Sequence, residues 1–177
     1  MSLLEVADRR VHLFTNRGLV RAVDGVSFSV DAGRSLGIVG ESGCGKTMTA
    51  LSLMRLIPDP PAKIVSGSIR FDGEDVVAMS PDRLRALRGN QIAMIYQDPM
   101  TSLNPVFTVG EQIAESVRLH RRDGRAAALL RAVEVLRLVG IPDPDRVARA
   151  YPHQLSGGMR QRAVIGMALA CDPKLLI

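Results

Sequence analysis

Aromatic side chains are scarce in this chain: six of 177 residues are Phe or Tyr, and none is Trp. Stacking platforms of the kind that hold single-stranded nucleic acid are poorly supplied. Cysteine is scarcer still. Cys44 and Cys171 lie far apart without a CxxC pair, and the three histidines are scattered. This excludes a zinc site or a disulfide framework and suits a reducing compartment. Long apolar runs are also missing. The run from Ala163 to Ala170 is eight residues, against the roughly 18–20 needed to cross a bilayer. The opening MSLLEVADRR has acids where a signal peptide needs bases, and it lacks that peptide's apolar stretch. The expectation is a chain that is neither secreted nor transmembrane.

Lysine is rare as well, with three against 20 arginines. The net charge of +5 divides almost evenly, +2 over residues 1–88 and +3 over 89–177. Such a spread is a solvated basic surface, not the stripe of a nucleic-acid binder. With 46% apolar and 23% charged residues, the length suits one globular domain that buries a core without staples.

Val26, Phe28 and Val30 alternate with Ser27 and Ser29, the period of a half-buried strand. After the turn Asp31-Ala32-Gly33, the run Ser35–Val39 reads as a short apolar strand. A helix is predicted from Gly45 to about Ile57, a strand over Ser66–Phe71, and a short helix from Ser80-Pro81 to Gly89. Gln91–Tyr96 reads as a strand covered on both faces. Thr108 and Glu111 form a capping box, and Val109, Ile113 and Val117 share one face of the helix that follows. Further helices are expected over Arg125–Val139 and from near Met159 to Asp172. Lys174–Ile177 reads as a strand entering the sheet. The order is that of an α/β core with an inserted helical block.

Gly40, Glu41, Ser42, Gly43, Cys44, Gly45, Lys46 and Thr47 match G-x-x-x-x-G-K-[ST] between an expected strand and an expected helix, with Met48 next on the helix. Glycines let the backbone curl so that successive N–H groups meet phosphate oxygens, and the helix N-terminus adds its positive end. Lys46 is expected on the β- and γ-phosphates and the Thr47 hydroxyl on Mg²⁺. A second segment, Leu155, Ser156, Gly157, Gly158 and Met159 followed by Arg160-Gln161-Arg162, lies about 109 residues beyond. It repeats the device of a hydroxyl and two glycines at a helix start. Between them, Met94-Ile95-Tyr96-Gln97-Asp98-Pro99 continues through Met100-Thr101-Ser102-Leu103-Asn104-Pro105, with Gln97 ending an apolar run.

Taken together these segments resemble the P-loop, signature and Q-loop of ATP-binding-cassette (ABC) ATPases. The Gln97–Pro105 run and Tyr151-Pro152-His153-Gln154 resemble the dipeptide, oligopeptide and nickel importer branch, in particular its D-type peptide-importer subunit. Essentially all 177 residues are covered by the resemblance. The implied fold is α/β: a P-loop core with an N-terminal antiparallel β subdomain and an inserted α-helical subdomain. The implied division is a β-rich P-loop core over about 1–98, a helical subdomain over about 99–158 and a return to the core over 159–177. The resemblance makes the chain the N-terminal portion of such a subunit, stopping as the Walker B strand begins. The Walker B aspartate and catalytic glutamate then lie outside it.

The resemblance further implies ATP and Mg²⁺ as cofactors, with Thr47 and Gln97 as metal-side residues and Gln97 near the attacking water. Residues 155–159 would act in trans, on nucleotide held by a second ATPase subunit. Phe14 is the candidate to stack on adenine, with Leu13 adjacent. The implied partners are that second subunit, two transmembrane permease subunits and, indirectly, a substrate-binding protein. Nucleic acid is not among them. The implied location is the cytoplasmic face of a bacterial inner membrane. Met159 stands where the wider family has Gln. Three rival readings remain: a catalytically incompetent nucleotide-binding module, a P-loop kinase of small molecules, and a non-transport ABC ATPase. Chromosome-maintenance members of the last kind need a long coiled coil that 109 residues cannot hold.

Overall fold

A computed structural model describes residues 2–96 and 102–177. The chain divides into two units, Met1–Arg85 and Ala86–Ile177. The first is built on an antiparallel sheet in the order β2-β1-β3-β4, from β1 (Ser2–Thr15), β2 (Gly18–Asp31), β3 (Ala62–Phe71) and β4 (Glu74–Asp75). Helix α1 (Lys46–Leu53) lies between β2 and β3 in sequence, and α2 (Pro81–Leu87) follows β4. Leu4 pairs with Phe71 and Val6 with Ile69 across β1 and β3, and all four side chains are buried. Each such side chain stabilises the fold by about 1.5–3 kcal/mol relative to exposure.

Strand β1 then changes phase. Asp8 takes a positive φ of 45° at a register shift, so burial passes from Leu4 and Val6 to Arg9 and Val11. Gly67 of β3 makes room: a Cβ there would lie 2.4 Å from the Asp8 carbonyl oxygen. The guanidinium of Arg9 is fully buried, with Nη1 donating to Gly67 O at 3.3 Å. Burial pushes its pKa down, Asp75 offsets part of that, and Arg55 adds to it. Beyond the bulge, Val11, Val23 and Ala62 form a cluster joined by Leu13, Val26, Met48, Ile57 and Ile64.

The second unit holds α3 (Val109–Arg121), α4 (Arg125–Leu138), α5 (Pro144–Arg149), a 3₁₀ turn (Pro152–Gln154) and α6 (Gly157–Leu169). Its strands β5 (Ile92–Ala93) and β6 (Leu175–Leu176) pair in parallel. Val109, Ile113 and Val117 are fully buried, against Ala128, Ala132, Val135 and Leu136 of α4 and Ala163 of α6. Thr108 caps α3 as expected, its hydroxyl accepting from Glu111 N at 3.4 Å. The Glu111 carboxylate turns instead to Arg125, at 2.6 Å. Asp172, between α6 and β6, accepts from Arg121 of α3 and from Arg131 of α4. Among the described residues no helix is long and apolar enough to cross a membrane.

Several elements differ from expectation. Residues 35–39 form no strand, and Leu36, Ile38 and Val39 are exposed, Val39 at 93%. A strand exists only through ladder bonds, and this run makes none among the described residues. Strand β5 spans Ile92–Ala93 rather than the whole of Gln91–Tyr96, although Gln91 O and Ile95 N also bond to the chain around β6. Helix α1 stops at Leu53 because Arg55 turns to a positive φ of 52°. Helix α5 lies outside the helices expected from sequence; Pro144 starts it, where its missing N–H costs nothing.

Candidate functional site

Residues 40–47 wrap the N-terminus of α1. Gly45 precedes the helix at φ 93°, and a Cβ there would lie 2.1 Å from Ala22 O of β2. Only glycine permits both the left-handed turn and that approach. The first helical bond runs from Thr49 N to Gly45 O at 2.8 Å. The N–H groups of Gly45, Lys46, Thr47 and Met48 therefore have no acceptor among the described residues, as at any helix start without a side-chain cap. No acidic residue stands in the first turn. The chemistry on offer is a row of donors and a positive helix end.

Lys46 lies back over this loop, its Nζ donating to Gly40 O and Glu41 O, both at 2.7 Å, with Cys44 Sγ at 3.5 Å. An incoming anion can exchange for one of these carbonyls without unfolding the loop. Thr47 is exposed, so its hydroxyl is a hard oxygen donor of the type Mg²⁺ accepts alongside phosphate oxygens. Met48 is half-buried in the Val11–Val23–Ala62 cluster, which makes it an anchor of α1. Glu41, Ser42, Gly43 and the Cys44 thiol are all exposed.

Phe14 belongs to the same unit, near the tip of the β1–β2 hairpin. It pairs with Leu19 and is 54% exposed. Leu13, not Phe14, joins the cluster that holds Met48. Gln97 lies outside the described residues, as does the run to Thr101.

Residues 155–159 belong to the second unit. Leu155 is buried and anchors the segment. Ser156 is the N-cap of α6, its hydroxyl accepting from Met159 N at 3.4 Å. Gly157 and Gly158 open the helix, exposed, with no atom within 4 Å of where a Cβ would stand. Again the first turn holds no acid. Two supports escaped the sequence reading. Gln154 Oε1 accepts from Tyr151 N at 2.8 Å, and Arg160 Nε donates to Pro152 O at 2.8 Å. Both tie the turn before Ser156, and only the Tyr151–Gln154 segment itself hinted at them. Tyr151 and His153 stack on each other with ring centroids 5.7 Å apart.

The chain is 57% identical over 175 residues to the "Probable peptide ABC transporter ATP-binding protein y4tR" of Sinorhizobium fredii, covering 99% of this chain and 52% of that protein. It is 51% identical to the oligopeptide transport ATP-binding protein OppD of Bacillus subtilis, covering 99% and 49%. To the dipeptide transport ATP-binding protein DppD of Escherichia coli it is 48% identical, covering 100% and 54%. The chain thus spans about half the length of these relatives. Among solved structures, the dimeric ATP-binding cassette MJ0796 bound to ADP and Pi superposes with a TM-score of 0.84 at 24% identity. That match covers 98% of this chain and 72% of the cassette, and it establishes the α/β cassette fold. Residues 23–177 match the ABC transporter family, so the chain belongs to it.

Proposed function

We propose that this chain is the nucleotide-binding part of an ATP-binding subunit that drives peptide import. The observation that carries the reading is the α1 N-terminus: uncapped N–H groups, no acid in the first turn, and Lys46 held on two exchangeable carbonyls. The names of the relatives, all concerned with peptide transport, support the substrate class.

On this reading residues 40–48 cradle the phosphates of ATP, and Lys46 offsets charge on the β- and γ-phosphates. Phe14 is the candidate for the adenine, and Gln97 for orienting the attacking water. Bound at Thr47, Mg²⁺ would neutralise charge as it builds on the phosphate oxygens. Water attacks the γ-phosphorus, the bond to the bridging oxygen breaks, and ADP leaves with inorganic phosphate. Ser156, Gly157 and Gly158, with Leu155 and Met159 beside them, serve the nucleotide of a second ATPase subunit. The dimeric state of the MJ0796 cassette supports that arrangement. The helical block, about residues 99–158, meets two permease subunits at the cytoplasmic face of the bacterial inner membrane. A substrate-binding protein delivers solute from the far side.

The test is nucleotide binding by the wild-type chain and by Lys46→Ala. Losing a charged hydrogen bond to phosphate should weaken ATP about 10- to 100-fold. Equal affinity of the two proteins would overturn the reading. Lys46-dependent binding by the whole gene product without turnover would reduce it to a catalytically incompetent nucleotide-binding module.

A further inference from the structure

Helices α4 and α6 hold each other through two arginines placed in opposite senses. Arg162, in the middle of α6, donates from Nη1 to Gly140 O, just past the end of α4, at 2.8 Å. Arg131, in the middle of α4, donates from Nε to Ala170 O at the end of α6, at 3.1 Å. Its Nη2 donates to Asp172 at 2.7 Å. Carbonyls at a helix end lack an intrahelical partner, and a cation there meets the negative end of the helix dipole. Here each cation comes from the other helix.

Between the two bonds the backbones approach closely. A Cβ at Gly166 would lie 3.6 Å from Val135 O and 3.6 Å from Val139 Cγ2. The pairs 131–170, 135–166 and 140–162 run in opposite directions, so the two helices are antiparallel. At the helical rise per residue, the bonds stand about 12–13 Å apart along the seam. Ala132 and Ala163 are fully buried in the same core. Residues this small interlock weakly, whereas long side chains fix axial register by filling grooves on the facing helix. Two directional bonds at opposite ends supply what the small residues do not, because sliding α6 along α4 strains both at once. Ser156 stands six residues before Arg162, about 9 Å further along the same axis. An axial slip of α6 is therefore carried undiminished to its Ser156–Gly158 end.

We propose that Arg162 and Arg131 are positioning residues that fix the axial register of α6 on α4, so that Ser156, Gly157 and Gly158 reach the second subunit's nucleotide at one set depth. The inference rests on the reading of the chain as a transporter ATPase and adds the residues that set that depth.

The experiment uses the full gene product assembled with its membrane subunits in lipid vesicles. Arg162→Met keeps an unbranched stem and removes the donor, while Arg162→Lys keeps a cationic donor. Arg162 is exposed, so neither change should shift the melting temperature much. In Arg162→Met the kcat for ATP should fall about tenfold or more with KM unchanged, since residues 40–47 still hold the nucleotide and only its meeting with Ser156 is disturbed. Arg162→Lys should recover most of that kcat, and no recovery counts against the proposal. A merely stabilising bond predicts lower melting at unchanged kcat, and that result would overturn it.

A second pair of variants tests the register without touching either arginine. Val139→Cys with Gly166→Cys puts two thiols across the close approach, and their disulfide fixes the same register covalently. Oxidised and reduced forms should then turn over ATP equally. Loss of turnover on oxidation, reversed by reductant and absent from the wild type, would mean that α6 slides on α4, which overturns the proposal even if Arg162→Met does not fold. Absence of Lys46-dependent turnover from the wild type would sink the transporter reading itself, whereas wild-type turnover that Arg162→Met leaves intact sinks only the register clamp.

Discussion

Helices α1 and α6 begin alike in sequence, with small residues and glycines, yet they satisfy their first turns differently. Before α1 stands Gly45 in a left-handed conformation, pressed against Ala22 O of the sheet and offering no side-chain cap. Before α6 stands Ser156 in extended conformation, its hydroxyl accepting from Met159 N, and a Cβ on either of the two glycines after it would meet no atom within 4 Å. Helices α2, α3 and α5 each place an acid in the first turn, whereas α1, α4 and α6 place none. An acid there would neutralise the positive end internally. On the proposed reading, the starts of α1 and α6 present donors to a phosphate by different means. One is moulded by its contact with a sheet, and the other is an open, locally capped end.

The largest expected effect sharpens that contrast. Gly45→Ala meets a 2.1 Å approach and a φ of 93°, so it should destabilise the first unit by about 3 kcal/mol or more. Gly158→Ala meets nothing, so urea unfolding should move by no more than about 0.5 kcal/mol. Similar costs at the two positions would break the distinction. Next in size is the cap: Ser156→Ala should cost about 0.5–1 kcal/mol, at the lower end for caps because its bond is long. Ser42→Ala, in a loop without a side-chain cap, should leave the melting temperature of the chain unchanged.

A smaller effect belongs to Asp172, whose carboxylate joins α3 and α4 to the start of β6 but is 67% exposed. Asp172→Asn should cost less than about 1 kcal/mol and lose even that in 1 M salt, measured by melting at two ionic strengths. The smallest concerns acid. Burial lowers the His120 pKa below its ordinary 6.5, so its neutral form suits the fold. Stability of the second unit is then whole above pH 6.5 and declines as pH falls toward the lowered value. In the first unit the hydrogen bond from Arg83 holds the Glu74 carboxyl below its ordinary 4.5. That contribution is present above 4.5 and is lost only as pH falls through the lowered value. Melting from pH 7 to pH 3 should show the helical unit weakening first, and His120→Leu should remove the earlier loss.

Much of the molecule was legible because the signals were local. The face Val109–Ile113–Val117, the Thr108 cap and the Ser80-Pro81 helix start each depend on residues within two turns of one another. The P-loop pattern is equally local, since glycine spacing and one lysine define it. Arg9 was not legible: in Ala7-Asp8-Arg9-Arg10 it reads as one more solvated charge, and only the bulge opposite Gly67 turns it inward. Gln112 was equally silent, a polar residue in an amphipathic helix until the folded loop brings Asn104 and Phe107 to its amide.

By itself the sequence determined where α1 to α4 start, which face of α3 is apolar, and which glycine and hydroxyl residues stand at the starts of α1 and α6. Those follow from covalent spacing and from side chains that meet their own neighbours. The tertiary structure alone decided that residues 35–39 stay outside a ladder, that Leu13 and not Phe14 packs with Met48, and that Gln112 holds the Val106–Phe107 loop. Each depends on partners distant in the chain. Strand pairing, burial and long-range hydrogen bonds are properties of which segments meet, and residue spacing along one segment carries no record of that.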